Sequence, residues 1–351
     1  MISIVVPCYN CARTIGETIR SIKNQTCKMF QVVLVNDGSL DATADICSAW
    51  EQEDKRVKVI HQKNKGLMAA WKQGVLEADG EYIVFSDSDD WIQEDLIEYL
   101  EKIIKEKNPD MISYGMMVDL EKGRSLRRDN AISEGFYVRK EIRERIWPVY
   151  FSAGSGESMA LLSSRCNKAI KRKLLLSNMK YLNNDISIGE DDITSFATVM
   201  SADSIYVIKN YFPYHYCRRE DSMLGNYNVE MVKKFINVKR ELFHIGKIYE
   251  YPYLEQIEEN FLENILIVIK KTIADMNYDY NEILNYLNEM VNISEVNEIL
   301  EKSKSMQEIG VIGRIFSRLL ENRNFFLCIV VVKIASKFRK WFWRKKCRVI
   351  Q

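Results

Sequence analysis

The first ~115 residues alternate short, almost continuous apolar runs with amphipathic stretches, and this alternation constrains the fold more than any other feature. Ile2-Ser3-Ile4-Val5-Val6 reads as a buried strand stopped by Pro7. Val32-Val33-Leu34-Val35, Val57-Lys58-Val59-Ile60 and Tyr82-Ile83-Val84-Phe85 read as three more. Helices are predicted between them: over 14–25, where Ile15, Ile19 and Ile22 recur at helical spacing; from an Asp41 cap through Ile46 to Trp50; over 67–78, closed by Asp79-Gly80; and over 95–107, stopping before Pro109. Strands apolar along their whole length, interleaved with helices, predict an α/β fold: a doubly wound, mostly parallel sheet with helices on both faces. Such sheets bind ligands at the carboxyl ends of their strands, beside a switch in strand order. From 116 to 220 the pattern is less regular, with a small-residue loop, Ser152-Ala153-Gly154-Ser155-Gly156, and a predicted helix over 167–176. Beyond about 225 the chain reads as helical, with long periodic segments such as 257–271.

Four polar clusters follow the four predicted strands: Pro7-Cys8-Tyr9-Asn10, Asn36-Asp37-Gly38-Ser39, Asn64-Lys65-Gly66 and Ser86-Asp87-Ser88-Asp89-Asp90. Turns favour these residue types anyway, but four clusters at one sheet edge point to a site. Asp87, Asp89 and Asp90 crowd three carboxylates at the end of a buried strand, where they repel unless a cation or hydrogen bonds offset them. A helix cap accounts for one of them, not three. Their oxygens suit Mg²⁺ or Mn²⁺, with water and ligand phosphates completing the shell. The glycine patterns of dinucleotide-binding and P-loop proteins are both missing, which argues against an oxidoreductase or a P-loop nucleoside triphosphatase. A second acidic cluster, Gly189-Glu190-Asp191-Asp192, precedes Ile193, Phe196 and Val199 at helical spacing. It reads either as an acidic first turn favoured by the helix dipole or as the seat of a general base. Tyr214-His215-Tyr216-Cys217-Arg218-Arg219-Glu220-Asp221-Ser222 sets aromatics beside two Arg and a hydroxyl, a mixture that suits an anionic ligand and equally a solvated turn.

The net charge of +1 conceals an asymmetry. Arg323 to Gln351 carry nine Lys/Arg and no acid, which leaves residues 1–322 at −8 (+1 minus 9). Positive charge confined to one end excludes a generally basic nucleic-acid binder, so no nucleic-acid partner is expected. Of eight Cys only Cys8 and Cys11 are close, and with three His no zinc set is evident; the bland expectation is reduced thiols in a cytoplasmic protein. No run reaches the ~18 apolar residues of a membrane span, and the first residues lack the basic start and apolar run of a signal peptide.

Taken in order, these pieces resemble the family 2 glycosyltransferases of the GT-A fold. The family's opening Val-Val-Pro-x-Tyr-Asn is here Val5 to Asn10, and its Asn/Asp-Asp-Gly-Ser-x-Asp is Asn36 to Asp41. Its Asn-x-Gly segment with the following helix matches Asn64 to Gly74, and its Gly-Glu-Tyr-Ile-x-Phe-x-Asp-x-Asp-Asp matches Gly80 to Asp90. Its later Glu-Asp pair is Glu190-Asp191, and its Arg-x-x-Ser is Arg219 to Ser222. The resemblance covers roughly residues 1–225. Asn167-Lys168 looks like the family's Asn-Lys segment, with no role assigned. One departure stands out: where the family commonly has Ala-Arg-Asn, this chain has Ala70-Trp71-Lys72, so Lys72 is expected to supply the charge one residue later, without the bidentate geometry of Arg.

The resemblance implies an inverting, metal-dependent glycosyltransferase of the hexosyl or N-acetylhexosaminyl type. It would move a sugar from a nucleoside diphosphate sugar, most often a UDP-sugar, to a hydroxyl of a glycan or lipid-linked acceptor in cell-surface polysaccharide synthesis. Pro7, Tyr9 and Asp37 would hold the base, Asn64 and Lys72 would lie along the donor, and Asp87 would sit near the ribose. Asp89 would bind Mg²⁺ or Mn²⁺, Arg219 and Ser222 would close over the diphosphate, and Asp191 would be the catalytic base; Asp90 and Glu190 flank these without a defined role. The implied organisation is a nucleotide-sugar half over 1–115, an acceptor and catalytic-base half over 116–224, and a helical region over 225–351 with a basic amphipathic tail. Residues 324–348 join an eight-residue apolar run to basic residues and Trp341, Phe342 and Trp343. They suit an anionic membrane surface, on the inner face of the plasma membrane, or alternatively pack on the domain. Two other readings fit the acidic sheet edge: a nucleotidyltransferase-like enzyme, which would release pyrophosphate, and a non-catalytic nucleotide-sugar-binding subunit of a membrane complex.

Overall fold

A computed structural model describes residues 1–120, 123–151, 159–183, 186, 188–219, 229–275, 280–304, 306 and 310–335. It divides into two compact units: residues 1–222 with 240–253, and residues 223–239 with 254–351.

The first unit starts from the four expected strands, β1 (Ile2–Cys8), β2 (Phe30–Asp37), β3 (Val57–Gln62) and β4 (Tyr82–Phe85). β1, most of β2 and β4 are buried on both faces, as their unbroken apolar runs require. Helices α1 (Ile15–Lys23), α2 (Thr43–Glu53), α3 (Leu67–Glu77) and, after the short strand β5 (Trp91–Ile92), α4 (Leu96–Lys107) connect them. α1 buries Ile15, Thr18 and Ile22, and α4 buries Leu96, Ile97, Leu100 and Ile103, so each lays one apolar stripe on the sheet. α4 ends at Asn108 in the left-handed conformation, directly before Pro109. The cap expected at Asp41 is corrected by one residue: the N-cap of α2 is Ala42, without a side-chain cap bond, while Asp41 Oδ1 accepts the N–H of Thr43, the first helical residue, at 3.0 Å.

The chain then adds β6 (Met111–Ser113), β7 (Met116–Leu120), β8 (Arg124–Arg128) and β9 (Gly135–Val138), followed by a helical turn, α5 (Arg139–Glu141). Next come β10 (Lys168–Lys171), α6 (Arg172–Asn178), α7 (Glu190–Ser201), β11 (Ser204–Val207) and β12 (Tyr214–Cys217). The large sheet has the order β3-β2-β1-β4-β10-β6-β11-β9, and β5-β12-β7-β8 form a second sheet. β3, β2, β1 and β4 run parallel, and the order reverses at β1, with β2 on one side and β4 on the other. A crevice at the carboxyl ends of β1 and β4 is the outcome.

Two further local readings are corrected. β1 does not stop at Pro7 but continues through it to Cys8, still paired with β2. The Val5 carbonyl faces β4, where it accepts the Ser86 N–H at 3.1 Å, so two residues on the missing N–H of Pro7 also faces that side, beyond the β4 ladder. The helix expected over 167–176 is in fact the strand β10, antiparallel to β4 and β6, before α6 begins at Arg172. Lys168 and Lys171 at its ends are buried, so no apolar run announced a strand.

In the second unit, α9 (Leu254–Asp275), α10 (Tyr280–Asn292), α11 (Ser294–Lys302) and α12 (Val311–Glu321) bury Ile257, Leu287, Ile299 and Phe316 among their apolar faces. α8 (Val229–Ile248) passes between the units at residues 239–240. Residues 325–335 are helical and bury Phe325, Cys328, Ile329 and Val332, while Phe326, Leu327, Val331 and Ile334 are exposed. Among the described residues no helix is long and apolar enough to cross a membrane.

Candidate active site

The loops after β1, β2 and β3 are stitched to one another. The Asn10 N–H donates to Ser39 Oγ at 3.0 Å, the Leu40 N–H to Asn10 Oδ1 at 2.8 Å, and the Cys11 N–H to Thr43 Oγ1 at 2.9 Å. Gly38, at φ +71°, could not carry a side chain: a Cβ there would stand 2.6 Å from the Asn64 nitrogen. That close approach brings in the third loop, which Asp37 holds. Its carboxylate accepts Gln62 Nε2 at 2.6 Å, the Lys65 N–H at 2.9 Å and the Gly66 N–H at 2.8 Å, while the residue is only 3 % exposed. Tyr9 stands in solvent at the lip, Pro7 is buried in β1, and Asn64 is exposed with its Oδ1 accepting the Gly66 N–H at 3.2 Å. Lys72, on α3, donates to the Leu182 carbonyl at 2.9 Å, and burial lowers its pKa. Beside it Trp71 is fully buried, edge-on to Phe85 at 5.5 Å.

The aspartate loop after β4 is fastened from beneath by α1: Thr14 Oγ1 donates to the Ser88 carbonyl at 3.1 Å and Thr18 Oγ1 to the Asp90 carbonyl at 2.7 Å. The three aspartates then separate. Asp90 is buried and turned inward, accepting the Tyr214 hydroxyl and, at 2.8 Å, the Cys217 N–H. Burial first, then the charges of Asp87 and Asp89, push its pKa up to about 8. Asp87 is partly exposed and faces a guanidinium, described next. Asp89 is partly exposed too, and Arg219 Nη2 donates to its backbone carbonyl at 3.0 Å, which brings those two predicted residues together. Ser222, their predicted companion, lies outside the described residues, as do the loop 152–158 and the tail from 336 onward.

A residue the sequence reading missed unites the two acidic clusters. Arg165 donates from Nη2 to Asp87 Oδ1 at 2.7 Å and from Nη1 to Asp191 Oδ1 at 2.6 Å, with Glu190 Oε1 at 3.3 Å from the same nitrogen. One planar guanidinium spans the pair, so the two carboxylate oxygens stand no more than ~8 Å apart. Glu190, Asp191 and Asp192 form the first turn of α7 behind Gly189, whose φ of +77° turns the chain into the helix. Burial and then the neighbouring Asp191 push Glu190 up to about 7, and burial pushes Asp192 to about 6 against a hydrogen bond from Ser163. The only sequence signal for Arg165 was its position two residues before the Asn-Lys segment.

Among the described residues no group of three or more His, Cys, Asp and Glu forms a metal cage. A Mg²⁺ or Mn²⁺ ion that takes one or two carboxylates and completes its shell with phosphate and water needs none. The partly exposed Asp89 fits that case, whereas Asp90, with both oxygens taken inside, does not. All seven described cysteines are free.

Comparison with known proteins places this geometry. Residues 3–164 match the family model Glycosyl transferase family 2. The chain is 32 % identical over 215 residues to Glycosyltransferase GlyA of Streptococcus pneumoniae serotype 4, covering 61 % of this chain and 30 % of that protein. It is 42 % identical over 113 residues to Glycosyltransferase GlyG of the same organism, covering 32 % and 38 %. The chain thus spans about a third of the length of these two pneumococcal relatives. At 25 % identity it aligns with 97 % of the cholesterol galactosyltransferase of Borreliella burgdorferi and 95 % of its own length. Among solved structures, residues 1–349 of S. aureus TarS superpose with a TM-score of 0.61 at 18 % identity, covering 96 % of this chain and 91 % of that one. That likeness establishes the fold, a GT-A architecture. The same TarS fragment has also been solved with UDP and with UDP-GlcNAc.

Proposed function

We propose that this chain acts as a family 2 glycosyltransferase of the GT-A fold, transferring a sugar from a UDP-sugar to an acceptor hydroxyl with inversion and using Asp191 as general base. The observation that carries the proposal is the sharing of Arg165 by Asp87, at the end of β4, and Asp191, at the start of α7. A donor-side carboxylate and a second carboxylate across the crevice are what a single displacement needs. The UDP and UDP-GlcNAc complexes of TarS support the choice of nucleotide.

In this mechanism the loops after β1 to β3, with Pro7, Tyr9, Asp37 and Asn64, cradle the base, Lys72 lies along the donor, and Asp87 meets the ribose. Asp89 would hold Mg²⁺ or Mn²⁺, which supplies positive charge against the departing diphosphate. Arg219, tied to the Asp89 backbone, and Ser222 would close over that diphosphate and add to the same stabilisation. Asp191 takes the proton of the acceptor hydroxyl as that oxygen attacks the anomeric carbon. One displacement through an oxocarbenium-like transition state turns an α-linked donor into a β-linked product.

The acceptor we propose is a hydroxyl of a glycan or a lipid-linked glycan in cell-surface polysaccharide synthesis. Exposed Phe326, Leu327, Val331 and Ile334, continuous in sequence with the basic residues up to 348, support attachment to an anionic membrane surface on the cytoplasmic side. Co-sedimentation with anionic liposomes should fall when residues 324–351 are removed, and equal binding by both forms would exclude that surface.

A thermal-shift panel of nucleotide sugars with Mn²⁺ or Mg²⁺ identifies the donor. With that donor, Asp191→Asn should lower UDP release by roughly 10²–10⁴-fold while UDP affinity stays within about threefold. Wild-type turnover by this variant would refute the assignment of the base.

A further inference from the structure

Arg165 is almost fully buried, its side chain 2 % exposed, and it faces three carboxylates at once. Burying a guanidinium is costly unless it is paired, and among the described residues its two terminal nitrogens are paired by the acidic residues of the crevice. Its Nε is buried without a hydrogen-bond partner among the described residues, so the side chain is committed through its two terminal nitrogens.

The backbone around it is built to hold that side chain still. Asn167 Nδ2 donates to the Tyr114 carbonyl at 2.6 Å, the Tyr114 N–H returns to the Asn167 carbonyl at 3.1 Å, and the Tyr114 hydroxyl donates to the Cys166 carbonyl at 3.1 Å. Lys168 Nζ donates to the carbonyls of Leu162 and Ser164 and to Asn167 Oδ1. Buried polar groups satisfied in this closed way rigidify what they surround. The Asn-Lys segment is thus the pedestal of Arg165.

We propose that Arg165 is a positioning residue that sets the distance and angle between the donor-side carboxylate, Asp87, and the base, Asp191, without itself touching substrate. The proposal rests on the reading of Asp191 as the base. The planar fork matters: its two nitrogens take one carboxylate each, whereas a lysine ammonium is a single point charge at the end of a flexible stem. Losing the fork leaves the base present but no longer aimed, which lowers turnover rather than donor binding.

The test uses the full chain with Mn²⁺ and the UDP-sugar selected by the thermal-shift panel, comparing wild type, Arg165→Lys, Asp191→Asn and the double variant. Arg165→Lys is expected to lower kcat at least ~30-fold with donor KM and UDP affinity within about threefold. In the Asp191→Asn background the same change should cost no more than about threefold, because residues acting as one unit are not additive. Losses that multiply, or wild-type kcat for Arg165→Lys, overturn the proposal. Wild-type turnover by Asp191→Asn overturns the base assignment instead, so the two failures are distinguishable. If Arg165→Lys does not give a wild-type circular dichroism spectrum, Asn167→Ser takes its place. It loosens the pedestal with Arg165 still present, and a folded Asn167→Ser chain whose kcat does not fall also overturns the proposal.

Discussion

Replacing Tyr214 with Phe removes one hydroxyl that serves the aspartate loop twice. It accepts the Asp87 N–H at 3.2 Å and donates to the Asp90 carboxyl, and both Tyr214 and Asp90 are buried. A hydrogen bond to an ionised carboxylate is worth about 1.5–3 kcal/mol and an ordinary backbone one about 1 kcal/mol. With Asp90 ionised the loss should therefore be about 2.5–4 kcal/mol. With Asp90 protonated both bonds are neutral, and the loss should be about 1–2 kcal/mol. The pH dependence follows from Asp90, whose pKa burial raises to about 8 and the Tyr214 hydrogen bond restrains. Without the hydroxyl the pKa climbs further, so above pH 8 the folded variant keeps a proton that the folded wild type has released. A folded state that binds more protons than the unfolded one loses stability as pH rises. The wild type therefore levels off above about pH 8 while Tyr214→Phe keeps falling. Urea unfolding followed by tryptophan fluorescence reads this in the first unit, which contains Trp50, Trp71, Trp91 and Trp147. The difference between variant and wild type should be larger at pH 9 than at pH 6. Equal differences at the two pH values, or a difference below about 0.5 kcal/mol at pH 9, would refute the account of Asp90.

Gly38→Ala should prevent the third loop from reaching the second, because the new Cβ meets the Asn64 nitrogen at 2.6 Å and φ is +71°. A loss of about 1–3 kcal/mol in urea unfolding is expected, together with weaker UDP binding by calorimetry. Asp192 is raised to about 6 by burial, so its ionisation costs stability as pH rises from about 4 through 6, and the loss is complete above its folded pKa. Asp192→Asn should flatten that part of the stability–pH curve while kcat stays within about threefold of wild type, in contrast to Asp191→Asn.

β1, β2 and β4 were legible because strands buried on both faces leave a nearly unbroken apolar record, and the edge strand β3, mostly half-buried, was legible from Val57, Val59 and Ile60; all four were found within a few residues of their ends. The same rule explains where reading failed. β10 is as buried as β4, but its sequence is Lys-Ala-Ile-Lys, with Lys171 paired to Asp110 at 3.1 Å and Lys168 satisfied by carbonyls. Tertiary partners supplied what the local pattern lacked, and a helical neighbour, α6, lent its periodicity to the wrong residues. Arg165 was hidden for a related reason. Its partners lie 78, 25 and 26 residues away, so apart from the neighbouring Asn-Lys segment nothing near it in sequence marks it as part of a site.

The aspartate cluster shows how much further structure goes than composition at one site. Crowded carboxylates must be offset, and the sequence left two remedies open, a divalent cation or hydrogen bonds. The structure treats the three aspartates differently. Burial raises the pKa of Asp90, whose carboxyl is hydrogen-bonded to Tyr214 and Cys217, and Asp87 is matched by the guanidinium of Arg165. Asp89 is partly exposed, and Arg219 donates to its backbone carbonyl. On the proposed reading, a cation at Asp89 would balance that carboxylate and the donor's phosphates, since Asp87 and Asp90 are engaged elsewhere. This is why a site with no closed cage of ligands remains compatible with metal-assisted departure of a diphosphate, and why Asp90→Asn should disturb metal dependence far less than Asp89→Asn.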